Sequence, residues 1–88
     1  MYLQKKETIL IVDDSKFQRA IIKEMLGEHF HLEEATSGEE CLMILEKSSH
    51  LIDLVLLALV MPGIDGFEVL RRRQTMDAFK DINFCQLN

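Results

Sequence analysis

The chain has 88 residues, which allows a single domain. Its hydrophobic content of 48% is too high for a disordered chain, and its formal charge of −5 argues against a nucleic-acid-binding surface. No apolar run is long enough to span a bilayer.

Residues 1–7 read as a polar N-terminal tail, with no apolar stretch of the signal-peptide kind. Thr8–Val12 is a short continuous apolar run, the pattern of a strand buried on both faces. From Ser15 to about His29 the spacing is helical, with Phe17, Ala20, Ile21, Ile22, Met25 and Leu26 forming a broad apolar stripe. Ser15 and Gln18 fit a capping box, and Gly27 a stop. Phe30–Ala35 reads as a second, mixed strand. Ser37-Gly38-Glu39-Glu40 is a capping box opening a helix through Cys41, Leu42, Ile44 and Leu45, which Ser48-Ser49-His50 breaks. A third strand covers about Asp53 to Ala58, and a Pro/Gly loop leads to a third helix over Gly66 to Arg73, capped by Asp65 with Glu68. Ile82–Leu87 is the candidate fourth strand, with Asn83 and Gln86 interrupting its apolar pattern.

Alternating strands and helices imply an α/β fold with a parallel sheet. The first and third strands are apolar on both faces and belong in the centre, and the second belongs at an edge. The expected order is 2-1-3-4, a flavodoxin-like arrangement. Right-handed crossovers then place the first helix on one face and the other two on the opposite face.

Asp13 and Asp14 fall at the carboxyl end of a central strand, where open parallel sheets bind ligands. Adjacent carboxylates repel unless a cation neutralises them, and hard oxygen ligands suit Mg²⁺. Alternatively, Asp14 caps the first helix and Asp13 is solvated. Arg71-Arg72-Arg73 fit a helix C-terminus better than an anion patch. His29, His31 and His50 lack ligand spacing and read as exposed. Met25, Met43 and Met61 read as core or loop packing, and Gly63 and Gly66 as loop geometry. Cys41 and Cys85 match no metal or redox motif and read as reduced and buried, as in a cytoplasmic protein. No glycine follows the first strand closely, which excludes a Rossmann dinucleotide site or a P-loop.

Two segments together resemble the receiver domains of two-component response regulators. One is Thr8-Ile9-Leu10-Ile11-Val12-Asp13-Asp14-Ser15, a strand ending in an acidic pair. The other is the run from Leu54 through Ala58-Leu59-Val60-Met61-Pro62-Gly63-Ile64-Asp65-Gly66. The resemblance implies that Asp13, Asp14 and the Val60 carbonyl are Mg²⁺ ligands. It also implies that position 58, where the family carries the aspartate that takes a phosphoryl group from a histidine kinase, is occupied by Ala58. Two origins fit: an engineered substitution and a natural degenerate receiver. Asn88 falls at the family's switch Thr or Ser, and the later lysine has no counterpart.

The resemblance therefore implies a partial receiver over residues 8–88, truncated after the fourth strand, without enzymatic turnover and unable to be phosphorylated. Mg²⁺ binding is expected to be weak or vestigial. The alternative is an interaction or oligomerisation module independent of phosphate. A Mg²⁺-dependent phosphatase is disfavoured, because Asp13-Asp14 is not the Asp-x-Asp pattern of such enzymes. Only the first helix lies on its face of the sheet, so that face of the third and fourth strands is expected to be open. A homo-oligomer follows from that exposure.

Overall fold

The computed structural model describes residues 6–87. Most of the N-terminal tail and the switch position Asn88 lie outside the described residues. Four strands run β1 (Thr8–Val12), β2 (His31–Ala35), β3 (Leu54–Ala58) and β4 (Asn83–Leu87), with helices α1 (Lys16–Leu26), α2 (Gly38–Ser48) and α3 (Gly66–Arg73) between them. Short 3₁₀ turns at Ser49–Leu51 and Asp77–Phe79 lead into β3 and β4. The sheet order is β2-β1-β3-β4 and every pairing is parallel, as the sequence pattern requires.

In this register, paired residues share a face, and alternate residues face opposite ways. Leu10 pairs with Val55 and Val12 with Leu57. These four pack with Cys41, Leu42 and Leu45 of α2, Val69 of α3, and Phe79 in the main core. On the other face, Ile9 pairs with Leu54 and Ile11 with Leu56, and they pack with Ile22 and Leu26 of α1. Thus α1 has one face of the sheet, and α2 and α3 have the other. Asp53 joins the starts of the two central strands. Its Oδ2 accepts the Thr8 N–H at 2.8 Å, and its own N–H donates to the Thr8 carbonyl at 2.9 Å.

The helix starts follow their caps. Ser15, Ser37 and Asp65 each accept, at 3.1 Å, the N–H three residues on, from Gln18, Glu40 and Glu68. Ser15 and not Asp14 therefore caps α1, which removes the alternative of Asp14 as a helix cap.

Several packing expectations are corrected. The inward stripe of α1 is Arg19, Ile22 and Leu26, whereas Phe17 (75% exposed), Ala20, Ile21 and Met25 (71%) face outward. Apolar residues occupy so much of this helix that spacing alone does not choose the inner side. Met61 is buried, but Met25 and Met43 are exposed, so only Met61 fills the core. Cys41 is buried and Cys85 exposed, because Cys85 pairs with Leu56 on the face of β4 that no helix among the described residues covers. His29, His31 and His50 are exposed, as expected.

Candidate functional site

The carboxyl ends of β1 and β3 bring Asp13 and Ala58 to one hollow of ≈ 320 Å³, lined also by Leu59, Val60, Phe67 and Leu87. It lies where the chain leaves the central strands in opposite directions, so backbone groups and side chains converge there. Asp14, the next residue, is exposed and does not line the hollow. A second hollow, at the amino ends of β1 and β2, is lined by Thr8, His31, Glu33, Ile44 and neighbours, far from the acidic pair.

The loop after β3 is shaped by two glycines. Gly63 has φ 73°, a left-handed conformation that strains any residue with a Cβ. Gly66 begins α3 against the end of β3, with its N–H donating to the Leu59 carbonyl at 3.0 Å. A Cβ at Gly66 would collide with the Ala58 carbonyl oxygen and come within 2.7 Å of the Leu59 Cα. The loop thus folds back over Ala58, which is only 8% exposed.

Asp13 is tightly placed. Its N–H donates to the Ala35 carbonyl at 3.1 Å, and its Oδ1 accepts the Ser15 N–H at 2.9 Å. Its carbonyl accepts from Arg19 Nη1 at 2.7 Å. Asp13 is 8% exposed, so it is not the freely solvated residue of the alternative sequence reading. Among the described residues no hydrogen-bond donor reaches its second carboxylate oxygen, and Asp13 lines the hollow. A hard, hydrated cation suits a carboxylate so placed, with Asp14 next to it in the chain and Val60 lining the same hollow. Ala58 adds no donor, and among the described residues no cluster of three or more His, Cys, Asp or Glu side chains forms a metal site. The donors fit Mg²⁺ holding most of its waters, and they do not make a closed cage.

Arg19 and Glu34 carry no sequence motif. Arg19 Nε donates to Glu34 Oε1 at 2.9 Å, and Lys23 Nζ to Glu34 Oε2 at 3.0 Å. The Lys23 ammonium and then the Arg19 guanidinium hold the Glu34 carboxyl below its ordinary value. Only the folding of β2 against α1 joins these residues, so spacing offers no signal for them.

The arginine run is structural, as expected. Arg71 and Arg72 both donate to Glu68, whose carboxyl they bring down to about 2. Arg73 donates to the Ile82 carbonyl at 3.0 Å and lies 5.0 Å from the Phe84 ring centroid, tying α3 to β4.

An open parallel sheet of order β2-β1-β3-β4, with a buried carboxylate at the carboxyl end of its first strand and a Pro/Gly loop after its third, places the chain in the flavodoxin-like α/β class. Within that class the chain belongs to the response regulator receiver domain family, which it matches over residues 9–84. It is 36% identical over 78 residues to the chemotaxis protein CheY of Halobacterium salinarum, covering 88% of this chain and 63% of that protein. It is 39% identical over 72 residues to sporulation initiation phosphotransferase F of Bacillus subtilis, covering 81% of this chain and 56% of that protein. The N-terminal domain of a response regulator receiver protein from Methanoculleus marisnigri superimposes with a TM-score of 0.84 at 40% identity, covering 92% of this chain and 65% of that one. The chain thus spans less than two thirds of each of these relatives. A match named as a probable cyclic di-GMP phosphodiesterase, from Vibrio cholerae, is 43% identical over 65 residues but only 14% of it is covered. Receiver domains are signalling modules that interact with histidine kinases and bind Mg²⁺ at their phosphorylation site. Among the described residues no helix is long and apolar enough to cross a membrane.

Proposed function

We propose that this chain is a cytoplasmic receiver domain that does not accept a phosphoryl group, because its acceptor position holds Ala58. The receiver unit starts at Thr8, and the chain supplies part of the receiver fold without enzymatic turnover of its own. Asp13, Asp14 and the Val60 carbonyl form a weak Mg²⁺ site, and Asn88 takes the switch position. A histidine kinase is the partner expected of the family. The observation that carries this proposal is that Ala58 and Asp13 line the same hollow. Phosphoryl transfer needs an oxygen nucleophile there, and a methyl group has none. Incubation with Mg²⁺ and acetyl phosphate, followed by intact-mass measurement, tests it. No phosphoryl adduct is expected. An adduct of one phosphoryl group that alkaline hydroxylamine removes would overturn the proposal.

A second reading rests on the open face of the sheet. Phe17, Ile21 and Met25 line the outer side of α1, while Leu54, Leu56 and Leu87 are only partly buried beside exposed Cys85. Exposed apolar side chains of this kind favour association, and β4 is a sheet edge among the described residues. The 88-residue chain taken alone is therefore expected to self-associate, independently of phosphate. Light scattering coupled to size exclusion checks this. A compact monomer at micromolar concentration that binds no hydrophobic dye would remove the second reading.

A further inference from the structure

The inner side of α1 holds a charge where an apolar residue would pack. Arg19 is 9% exposed and points inward with Ile22, while Phe17 and Met25 on the same helix face solvent. Burying a guanidinium is unfavourable unless its donors are met. Among the described residues, both hydrogen-bond partners of Arg19 lie at the acidic end of the sheet. Nη1 donates to the Asp13 carbonyl at 2.7 Å in a buried bond, and Nε donates to Glu34 at 2.9 Å. The rigid guanidinium fork thus spans from β2 to the residue after β1, a geometry that lysine does not reproduce. Lys23 holds the far oxygen of Glu34 at 3.0 Å and so keeps the carboxylate aimed at Arg19.

We propose that Arg19, oriented by Glu34, is a positioning residue for the acidic pair: by holding the Asp13 carbonyl it fixes where the Asp13 carboxylate stands for a divalent cation. This rests on the reading of Asp13 and Asp14 as the Mg²⁺ site. Two simpler roles make different predictions. A nearby cation acting only by its charge repels Mg²⁺, so removing it tightens binding. A residue that only stabilises the fold affects Mg²⁺ no more than any other buried residue of α1.

The test uses amide-resolved NMR on the full chain and on Ala58→Asp, Arg19→Met, Arg19→Lys, Glu34→Gln and Ile22→Ala variants, the last four in the Ala58→Asp background. Mg²⁺ is titrated into each, and exchange of the Ser15 amide, bonded to Asp13 Oδ1, is measured without metal. Loss of a residue that orients a metal ligand lowers affinity about 10-fold, so Arg19→Met and Arg19→Lys should both weaken Mg²⁺ by about that factor, and Glu34→Gln less. Ile22→Ala should unfold more readily yet keep the Ala58→Asp affinity. Arg19→Met should also speed Ser15 amide exchange relative to Ile11. Tighter Mg²⁺ binding by Arg19→Met, or equal weakening by Ile22→Ala, would overturn the proposal. If Ala58→Asp shows no Mg²⁺ binding, the metal-site reading falls and Ser15 exchange decides alone: faster exchange in Arg19→Met supports positioning, and unchanged exchange overturns it.

Discussion

Replacing Ala58 by aspartate should convert a domain that binds Mg²⁺ weakly into one that depends on Mg²⁺ for stability. Ala58 and Asp13 are each 8% exposed and line the same hollow, so a second carboxylate there would be poorly solvated and close to a like charge. Unit charges about 5 Å apart at an effective dielectric constant of about 20 repel by about 3 kcal/mol. Upward adjustment of a carboxyl pKa and residual hydration relieve part of this, leaving a net loss of about 2 kcal/mol. For a domain of this size that lowers the melting temperature by about 8–16 °C. Mg²⁺ at ten times its dissociation constant offsets about 1.4 kcal/mol of the loss. Thermal melts of both proteins at pH 7, in EDTA and in Mg²⁺, provide the assay. The Ala58→Asp protein should melt lower in EDTA and recover most of the difference in Mg²⁺, while the parent shifts little. Equal melting of the two proteins in EDTA, with equal Mg²⁺ responses, would show that position 58 does not face the acidic pocket.

Glu34 titrates below its ordinary value of 4.5 in the folded chain because of Lys23 and Arg19. Its stabilising contribution is therefore complete above about pH 4.5 and lost as pH falls through the lowered value. Acid melts of Glu34→Gln should show a flatter acid limb than the parent, and identical limbs would refute the pairing. Burial pushes the Cys41 thiol from 9.0 up to about 12, whereas Cys85 is exposed. A thiol reagent at pH 8 should label one cysteine per chain, Cys85→Ser should abolish that labelling, and stability should decline above about pH 9 as the unfolded Cys41 thiol ionises. Fast labelling of both thiols would mean that the α2 core is open. Gly66→Ala sets its methyl against the Ala58 and Leu59 backbone, which cannot rotate away, and should cost about 1–3 kcal/mol in denaturant melts. An unchanged midpoint would contradict the close approach of the loop to β3.

The strands were legible because β1 and β3 are short apolar runs, and a parallel strand covered on both faces permits little else. Their order followed from the mixed character of His31–Ala35 and from crossover handedness. The orientation of α1 was not legible. Its apolar residues cover most of its circumference, and the inner side is chosen by Arg19 finding the Asp13 carbonyl and Glu34, which lie on different elements. The acidic pair could be found from its place after an apolar strand, and Ala58 from the Met61-Pro62-Gly63 loop that follows it. That Asp13 is buried and takes the Ser15 N–H, while Asp14 stands outside the hollow, depends on a backbone turn that residue spacing does not encode. The exposure of Cys85 was not legible, because the lack of a metal or redox spacing says nothing of its place on the sheet, and only the topology shows that no helix among the described residues covers its face.

The most direct measurement compares the chain with its Ala58→Asp variant under acetyl phosphate and Mg²⁺, with intact mass recorded over time and any adduct mapped by peptide. The variant should slowly gain one hydroxylamine-labile phosphoryl group at position 58, and the parent none. A phosphoryl group on the parent, or an adduct on the variant at any residue other than 58, would contradict the assignment of Ala58 to the acceptor position.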